Sequence, residues 1–600
     1  SVITAKDLSN ASVISLDEAL QKLTPSFSSM TNGMGTTLSL NGLPDDYFIF
    51  LENGKRLYGD DTYARINVAK IKRIEILNGA SSALYGTNAI GGVINIITDD
   101  VKNAINVSSD TRYASKGRFT QSVNIDVNTG KFGSYTSYRR QQAEGWQLNP
   151  YEENSKTHEL EETGKVASTG FYANTVNQKF TFDATDKLSF YARGGYYDNK
   201  TRRPYEAYDY NILHETFNYG IGAQYMINKG NYITADCYAD HFSSSYCFFK
   251  DNKTYNGKAG EEQVRKRTRN HNLSIKGIFK LGNRHKLSVG TEYIVDVLKS
   301  QTDNIAKEDA YTLALFAQDE IKLLRNLQAL IGVRYIYHEN FKNHATPNVA
   351  LMYKPGKFNF RASYAAGFRT PTLSELYATD IAKKNDRLTI GNLDLKPEKN
   401  NYFSLSAEYV HERFSVSVNA FYNNIRDMID YNTIATGDKA MEQYGHKEVR
   451  QRDNIAEAKV HGINVSANAY LGAGFNLSGG YTHLNTQDVE LEQPIDKSIK
   501  NAYNINAQWA HSWKIYRLNI NLNGRINSKR FSKSYGYAPE YQLWDLNTRH
   551  SFNLKSVIIE PGCGMENLFD YMDDRPYNSN YATLTPGRSF YISLSLKFKS

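Results

Sequence analysis

Apolar and polar residues alternate along many short stretches of this chain after position 103. The clearest examples are 402–410, 414–422, 517–527 and 590–598. Because successive side chains of a strand point to opposite faces, this period of two predicts β-strands with one apolar and one polar face. The polar positions are mostly Asn, Ser, Thr, Arg and Glu, which suits a watery lumen, although soluble sandwiches also show such alternation.

The segments between these strands are of two kinds. Long polar segments occur at 143–165, 245–268 and 377–400. Short turns occur at 115–117, 128–131, 184–187, 228–231, 282–284 and 354–357. Short turns on one rim and long loops on the other are typical of outer-membrane barrels, whose closed sheet pairs every backbone group within the hydrocarbon. At roughly 23 residues per strand and connection, residues 103–600 predict an all-β transmembrane barrel of about 22 antiparallel strands, a size class with a plugged lumen.

Residues 1–102 have a different character and predict a small α+β domain. Ser15 followed by Glu18 predicts the start of a helix over SLDEALQKL. Asn53-Gly54, between FIFLE and KRLY, predicts a tight hairpin. Strands are predicted around 36–41 and 47–51 and over 71–77 and 91–98, with a short helical turn at 81–86.

Composition narrows the class of protein. No run approaches the roughly 18 apolar residues of a membrane helix, and mean hydropathy is −0.57. The 44 Tyr and 28 Phe suit rings at a water–apolar boundary. The net charge of +8 is spread without a basic run, which argues against a nucleic-acid partner. No catalytic or zinc-binding spacing is present, so we expect no enzyme. Cys237 and Cys247 could form one local bridge or stay free, and Cys563 would remain alone.

The N-terminal domain resembles the plug of TonB-dependent outer-membrane receptors. The resemblance lies in ITAKDLSN (3–10), LDEALQKL (16–23), LENGKRLYG (51–59) and the long string at 71–98. The C-terminal segments ENLFDYMDDRPY (566–577) and TPGRSFYISLSLKF (585–598) are similar to the closing strand of these receptors. The resemblance implies a plug domain over 1–102 inside the lumen of a barrel over 103–600.

The resemblance also implies active transport of a scarce nutrient across the bacterial outer membrane. The TonB–ExbB–ExbD complex would pull on an N-terminal box, expected to precede Ser1, and rearrange the plug. Outer-membrane lipid would surround the barrel, and no covalently bound cofactor is expected. A surface lipoprotein that captures the ligand first is left open. Asn41 replaces an Arg usual in the family, and Arg56, Arg73 and Glu75 are predicted to form a polar network between plug and barrel.

Two segments bear on the ligand. AGFRTPTLSELY (366–377) and IGNLDLKPEKN (390–400) resemble boxes of haem receptors that recur, in looser form, in cobalamin and siderophore receptors. Their structural alternative is a barrel strand entering a long loop, with Pro371 ending the ladder. Haem needs an axial donor, usually His, and the first His of the chain is His158. Cobalamin is amide-rich and matches a lumen of Asn, Ser and Thr. We therefore expect cobalamin or a related corrinoid. The alternatives are haem or ferric-siderophore uptake, or a receptor that acts mainly through a surface lipoprotein partner.

Loops at the plug apex and in the barrel are the candidate ligand contacts, although plain turn chemistry could explain the plug loops. The plug residues are Asn32, Gly33, Met34, Gly35, Tyr58, Asp60, Asp61, Thr62 and Tyr63. The barrel residues are Tyr205, Tyr208, Tyr210, Phe368 and Arg369. The aromatic–acidic segment 204–210 could also hold Ca²⁺, but no spacing identifies a metal site.

Overall fold

A computed structural model of the chain describes most of its residues. The described residues are 1–31, 36–79, 86, 89–98, 104–147, 151–154, 156–163, 166, 168–205, 207–382, 386–573, 575 and 580–599. The predicted plug-apex residues 32–35 and most of the predicted turn at 81–86 lie outside this part. No helix in the described ranges is both long and apolar enough to cross a membrane.

The N-terminal domain combines two short helices with small sheets. The helices are α1 (Ala5–Asn10) and α2 (Leu16–Leu23), and 3-10 turns span Asp45–Tyr47, Thr62–Arg65 and Val68–Lys70. The strands are β1 (Val2–Thr4), β2 (Phe27–Thr31), β3 (Thr36–Leu40), β4 (Leu43–Pro44), β5 (Phe48–Glu52), β6 (Lys55–Arg56), β7 (Ile71–Asn78) and β8 (Gly92–Thr98).

A five-stranded sheet in the order β1-β7-β8-β5-β6 organises this domain. The predicted hairpin joins β5 to β6, and Asn53 and Gly54 both adopt the positive φ values (51° and 78°) that a type I′ turn requires. Leu16 and Leu20 of α2 are fully buried against this sheet, together with Phe27, Ile74 and Ile94. The apolar face of the helix and the apolar side chains of the strands therefore pack into one core.

Twenty-two long antiparallel strands form a closed barrel around this domain. They are β9 (Ile105–Ala114), β10 (Arg118–Asn128), β11 (Phe132–Ala143), β14 (Gly170–Asp183), β15 (Leu188–Arg202), β16 (Tyr210–Asn228), β17 (Asn231–Phe248), β18 (Glu262–Leu281), β19 (His285–Ser300), β20 (Ile305–Leu324), β21 (Leu327–His338), β22 (Lys342–Tyr353), β23 (Phe358–Arg369), β26 (Glu398–Val410), β27 (Phe414–Thr436), β28 (Glu448–Gly472), β29 (Phe475–Asp488), β30 (Asn501–Trp513), β31 (Tyr516–Asn527), β34 (Tyr541–Leu554), β35 (Val557–Glu566) and β36 (Ser589–Lys599). β36 pairs with β9 and closes the ring, so the predicted architecture is confirmed.

The connecting loops carry short elements of their own. These are β12 (Tyr151–Glu153), β13 (Leu160–Glu162), β24 (Thr379–Ala382), β25 (Arg387–Ile390), β32 (Arg530–Ser532), β33 (Gly536–Ala538) and helices at Leu373–Tyr377 and Gly437–Tyr444. Each of them follows a barrel strand that runs in the same direction as β9. All of them therefore lie on the rim where β9 ends. We take this rim as extracellular and the opposite rim, where β9 begins, as periplasmic.

The two faces of the barrel wall have opposite chemistry. Apolar positions of the alternating stretches point outward and are exposed, as with Phe403 (49%) and Leu405 (65%). Polar positions such as Asn521 and Asn523 are buried against the lumen contents and accept hydrogen bonds from Asn506. Outward apolar residues and inward amides are the signature of a barrel that sits in lipid.

One predicted turn falls on the other rim. The segment 115–117 joins the upper ends of β9 and β10, so it belongs to the extracellular rim with the long loops. The connections 301–304 and 339–341 are short loops on that rim as well. Turn length alone therefore does not show on which rim a turn lies. The rim follows from the position of the turn in the order of strands, because successive strands run in opposite directions.

Candidate ligand-binding site

The plug loop around residues 58–66 reaches the barrel wall and is fastened there by a buried ion pair. Arg65 Nη1 lies 2.9 Å from Asp240 Oδ1 on β17, and both side chains are almost fully buried. The backbone N–H of Tyr58 donates to the same carboxylate at 3.0 Å. Gly59 adopts φ +84°, and a Cβ there would lie 2.8 Å from the Phe242 side chain, so this close approach requires glycine.

The two carboxylates predicted at the plug apex also contact the wall. Asp60 lies 3.1 Å from Lys266 Nζ on β18, and Asp61 Oδ2 lies 2.6 Å from His214 Nδ1 on β16. Although burial alone would raise it, the hydrogen bond and charge of His214 hold the pKa of Asp61 below its ordinary value. These two residues therefore anchor the loop to the wall.

The aromatic residues of this loop lie in the plug interior and at the plug–wall interface. Tyr63 packs against the core of the plug, with its ring centroid 6.5 Å from that of Phe50. The Tyr58 ring lies under the Arg56 guanidinium at 5.1 Å, and burial raises the pKa of its hydroxyl. Thr62 begins the 3-10 turn Thr62–Arg65.

The three predicted network residues divide between two environments. Arg73 Nε donates to Glu75 Oε1 at 2.7 Å within β7, and Asn95 also donates to Glu75, so these described contacts stay inside the plug. Arg56 lies close to Tyr58, and the charges of Asp296 and Glu292 on the barrel wall act on the same Tyr58 hydroxyl. Arg56 is thus near the wall. The sequence alone could not show that Arg73 and Glu75 interact within the plug whereas Arg56 lies near the barrel wall.

Aromatic rings and guanidinium groups gather at the extracellular ends of β15–β18, directly above the fastened loop. We call this set the rim cluster; it consists of Arg203, Tyr208, Tyr210, Tyr246, Tyr255 and Arg265. The Tyr210 and Tyr246 rings stack with centroids 4.0 Å apart, and Tyr255 meets both edge-on. Arg203 lies 3.6 Å over the Tyr208 ring, and Arg265 lies 4.9 Å over Tyr255.

Strand alternation turns the rim cluster toward the lumen. His214 of β16 and Asp240 of β17 contact the plug, so even positions of these strands face inward. Tyr210 and Tyr246 share that parity and stand above them. Tyr205 is displaced from the stack: it is 60% exposed, stacks on Phe249 at 5.4 Å and lies under Lys250 Nζ at 3.8 Å.

Phe368 and Arg369 occupy a different part of the rim and are buried. Arg369 forms ion pairs with Glu375 at 3.0 Å and with Glu398 at 2.5 Å, and its side chain is 2% exposed. The Tyr47 hydroxyl of the plug donates to Glu398 at 3.2 Å. The Phe368 ring stacks on His344 at 5.0 Å. The two box-like segments are thus tied to each other and to the plug by one buried charge cluster.

Asp45 and Asp46 are plug-apex residues that the sequence reasoning missed. They follow β4 and reach solvent at the mouth of the barrel, although surrounding residues remove part of their hydration. Burial and the neighbouring Asp46 raise the pKa of Asp45 to about 6. Burial raises the pKa of Asp46 despite the nearby charges of Arg369 and Arg452. Two adjacent acidic residues after Pro44 were the available signal.

A cavity of about 1350 Å³ opens below the plug, far from the rim cluster. The plug contributes its first residues, Ser1 to Ile3, and the end of β7 to this cavity. The periplasmic halves of the strands from β18 to β30 form its outer wall. Its upper limit lies where Tyr402 packs on Gly79, whose φ of +80° and absent Cβ allow the contact.

Two further sequence hypotheses concern metals and cysteines. The described residues contain no group of three or more His, Cys, Asp or Glu that could hold a metal ion; Glu206 of the candidate calcium segment is outside them, so that site stays a prediction. Cys237 and Cys247 lie ten residues apart on β17, which is about 33 Å of extended chain. A bridge between them is excluded, and all three cysteines are free.

Comparison with known families agrees with this architecture. Residues 1–93 match the model of the TonB-dependent receptor plug domain, and residues 117–560 match the model of the TonB-dependent receptor-like β-barrel. The chain therefore belongs to the TonB-dependent receptor family of the outer membrane.

Solved structures with the same fold include siderophore receptors and an iron transporter. A mutant of the ferric enterobactin receptor PfeA from Pseudomonas aeruginosa is 16% identical, with a TM-score of 0.86 over 100% of this chain and 98% of that one. The siderophore receptor PirA from Acinetobacter baumannii is 17% identical, with a TM-score of 0.81 and coverage of 100% and 98%. The FrpB iron transporter from Neisseria meningitidis is 13% identical, with a TM-score of 0.77 and coverage of 99% and 98%.

Proposed function

We propose that this receptor imports a ferric siderophore, with the rim cluster as the first contact of the chelate. The observation that carries the proposal is the combination of stacked tyrosines with Arg203 and Arg265 on the lumen side of the rim. Ferric catecholate chelates carry several negative charges on aromatic rings. Guanidinium groups attract such an anion, and tyrosine faces offer stacking surfaces for its rings.

The described site favours this ligand over cobalamin, the first choice from the sequence. Cobalamin would gain from amides and hydroxyls, but the groups gathered at the rim are mainly cations and phenol rings. The structural neighbours include a ferric enterobactin receptor and a siderophore receptor, which also supports a siderophore as the ligand. The sequence argument against haem as the ligand still applies, because residues 1–102 contain no His that could be an axial donor.

Transport would proceed from the rim to the periplasmic cavity. The chelate would settle on the plug apex below the rim cluster, and pull by TonB from the N-terminal side of the plug would open a path past it. The cavity along β18–β30 supports an exit on that side, since the described plug residues leave this part of the lumen open.

Calorimetry with purified protein tests the ligand class. The titrants are a ferric tris-catecholate, a ferric hydroxamate, haem and cobalamin. We expect binding of the catecholate chelate with sub-micromolar affinity and no comparable binding of cobalamin. Tight binding of cobalamin alone would overturn the proposal in favour of corrinoid transport.

Variants of the rim cluster test the site within the same experiment. Arg265→Gln removes the charge over Tyr255, and we expect about tenfold weaker binding of the catecholate. Lys253→Gln is the matched control, because Lys253 is an exposed lysine in the loop that carries Tyr255. Equal affinity of Arg265→Gln and the control would place the ligand elsewhere in the mouth.

A further inference from the structure

The outer wall of the barrel carries a second polar feature, on the opposite side of the sheet from the rim cluster. Even positions of β16–β18 contact the plug through His214, Asp240 and Lys266. Odd positions therefore face away from the lumen. Arg267 and Arg269 occupy two such positions near the upper end of β18, and both are exposed.

The strand register fixes the height of these arginines relative to the hydrocarbon. Ile221, Cys237 and Leu273 lie side by side on the outer face of β16–β18, and Ile221 (63%) and Leu273 (51%) are exposed apolar residues. Arg269 stands four residues above Leu273, about 14 Å along the strand. The arginines therefore lie above the apolar band, at the level of lipid headgroups.

A groove of about 230 Å³ connects these arginines to aromatic side chains. It is lined on the outer face by Tyr196, Glu215, Phe217, His241, Arg267 and Arg269. Phe217 is 52% exposed and lies in register with His241, which is in register with Arg269. The groove thus has an aromatic side on β15 and β16 and a cationic side on β18.

The described residues leave the charge of this groove unbalanced. Glu215, the acidic residue of the lining, accepts a hydrogen bond from the Tyr196 hydroxyl at 2.7 Å. No described carboxylate forms an ion pair with Arg267 or Arg269, and the buried His241 Nε2 has no described hydrogen-bond partner. Lys299, in register with Arg267 on β19, is also exposed and adds to the positive charge.

We propose that this outer-wall groove binds the phosphorylated headgroup of a lipid in the outer leaflet. Guanidinium groups match phosphate in charge and in their paired donors, and His241 Nε2 can add a further contact. Tyr196 and Phe217 would lie where headgroup meets acyl chain, the level that aromatic side chains favour. An arginine pair at this level gains from an anionic headgroup.

Native mass spectrometry of the detergent-purified full chain tests this proposal. The probes are lipid A, a diphosphorylated glucosamine lipid, and its phosphate-free counterpart. We expect the wild type to retain lipid A and the double variant Arg267→Gln/Arg269→Gln to bind it about tenfold more weakly. Arg140→Gln is the matched control, because Arg140 is an exposed arginine outside the groove, next to the plug-bonded Arg139 on β11. It should bind like the wild type.

The remaining outcomes decide against the proposal. Equal binding of lipid A by the double variant and the wild type would show that the arginines do not hold the headgroup. Equal binding of the phosphate-free lipid would show a contact through acyl chains alone. Unchanged catecholate binding by the double variant is expected and confirms that it is folded, since both arginines face away from the lumen.

Discussion

Among the described residues, the acidic side chains at the plug apex differ in whether they form an ion pair with the barrel wall. Asp60 and Asp61 contact Lys266 and His214. Asp45 and Asp46 stand in the open mouth, where burial raises both of their pKa values and the charge of Asp46 raises that of Asp45 further. Whether an anionic ligand entering the mouth is repelled by Asp45 therefore depends on pH, because pH sets whether Asp45 is charged.

Asp45 should make the affinity for an anionic chelate pH-dependent. Its pKa is raised to about 6, so it is protonated below that pH and negatively charged above it. Repulsion of an anion then grows as pH rises, and we expect wild-type affinity to fall about two- to fivefold relative to Asp45→Asn between pH 5 and pH 7.5. Calorimetry of both proteins at each pH cancels the titration of the chelate itself. A constant ratio would contradict this role.

The Arg65–Asp240 pair should hold the apical loop in place. Arg65→Ala leaves Asp240 buried without its partner, and such a loss costs about 3–5 kcal/mol. We expect faster hydrogen exchange in residues 58–66 and a lower unfolding temperature in detergent. Lys6→Ala, an exposed lysine of α1, is the control that should change neither measurement. Protection equal to wild type in Arg65→Ala would mean that other contacts hold the loop.

At the scale of elements, alternation predicted the barrel strands well because lipid and water impose opposite chemistry on the two faces. The stretches 402–410 and 517–527 became parts of β26 and β31. The sequence did not predict how far β27 and β28 extend beyond the membrane, because hydrogen bonding continues there without an apolar face. Helix α1 was also missed, although Thr4 and Asp7 form its capping box.

The candidate site was predicted in part. The aromatic segment 204–210 supplied Tyr208 and Tyr210 of the rim cluster, but Tyr246, Tyr255 and Arg265 come from other strands and loops. Phe368 and Arg369 are buried with partners that only folding brings together. The plug residues 32–35 are outside the described part, so their contact with ligand stays a prediction.

The buried cluster around Arg369 should stabilise the long loop between β23 and β26. Glu398→Ala removes one of its two carboxylates and the acceptor of Tyr47, so we expect destabilisation of about 3–5 kcal/mol. Chemical unfolding and proteolysis of the loop 370–397 measure this. Glu412→Gln changes an exposed acid in a periplasmic turn and should lie within about 0.5 kcal/mol of wild type. Similar stability of both variants would refute the structural role.

For the whole molecule, the first plug strand links the periplasmic end of the chain to the cavity. Val2 lies opposite Glu75 in the β1–β7 pair, and Ser1 to Ile3 line the cavity. After replacement of the three native cysteines, a Val2→Cys/Glu75→Cys disulfide should block uptake while leaving ligand binding intact, because it prevents β1 from leaving β7. Reductant and the two single variants are the controls. Normal uptake by the oxidised double variant would show that β1 need not move.

Uptake of radiolabelled iron as a ferric tris-catecholate, by cells with this protein as their only outer-membrane receptor for the chelate, tests the central claim most directly. The account predicts uptake that requires TonB, falls in the Arg265→Gln variant and is not competed by excess cobalamin. Uptake of labelled cobalamin but not of iron, or iron entry that continues without TonB, would contradict it.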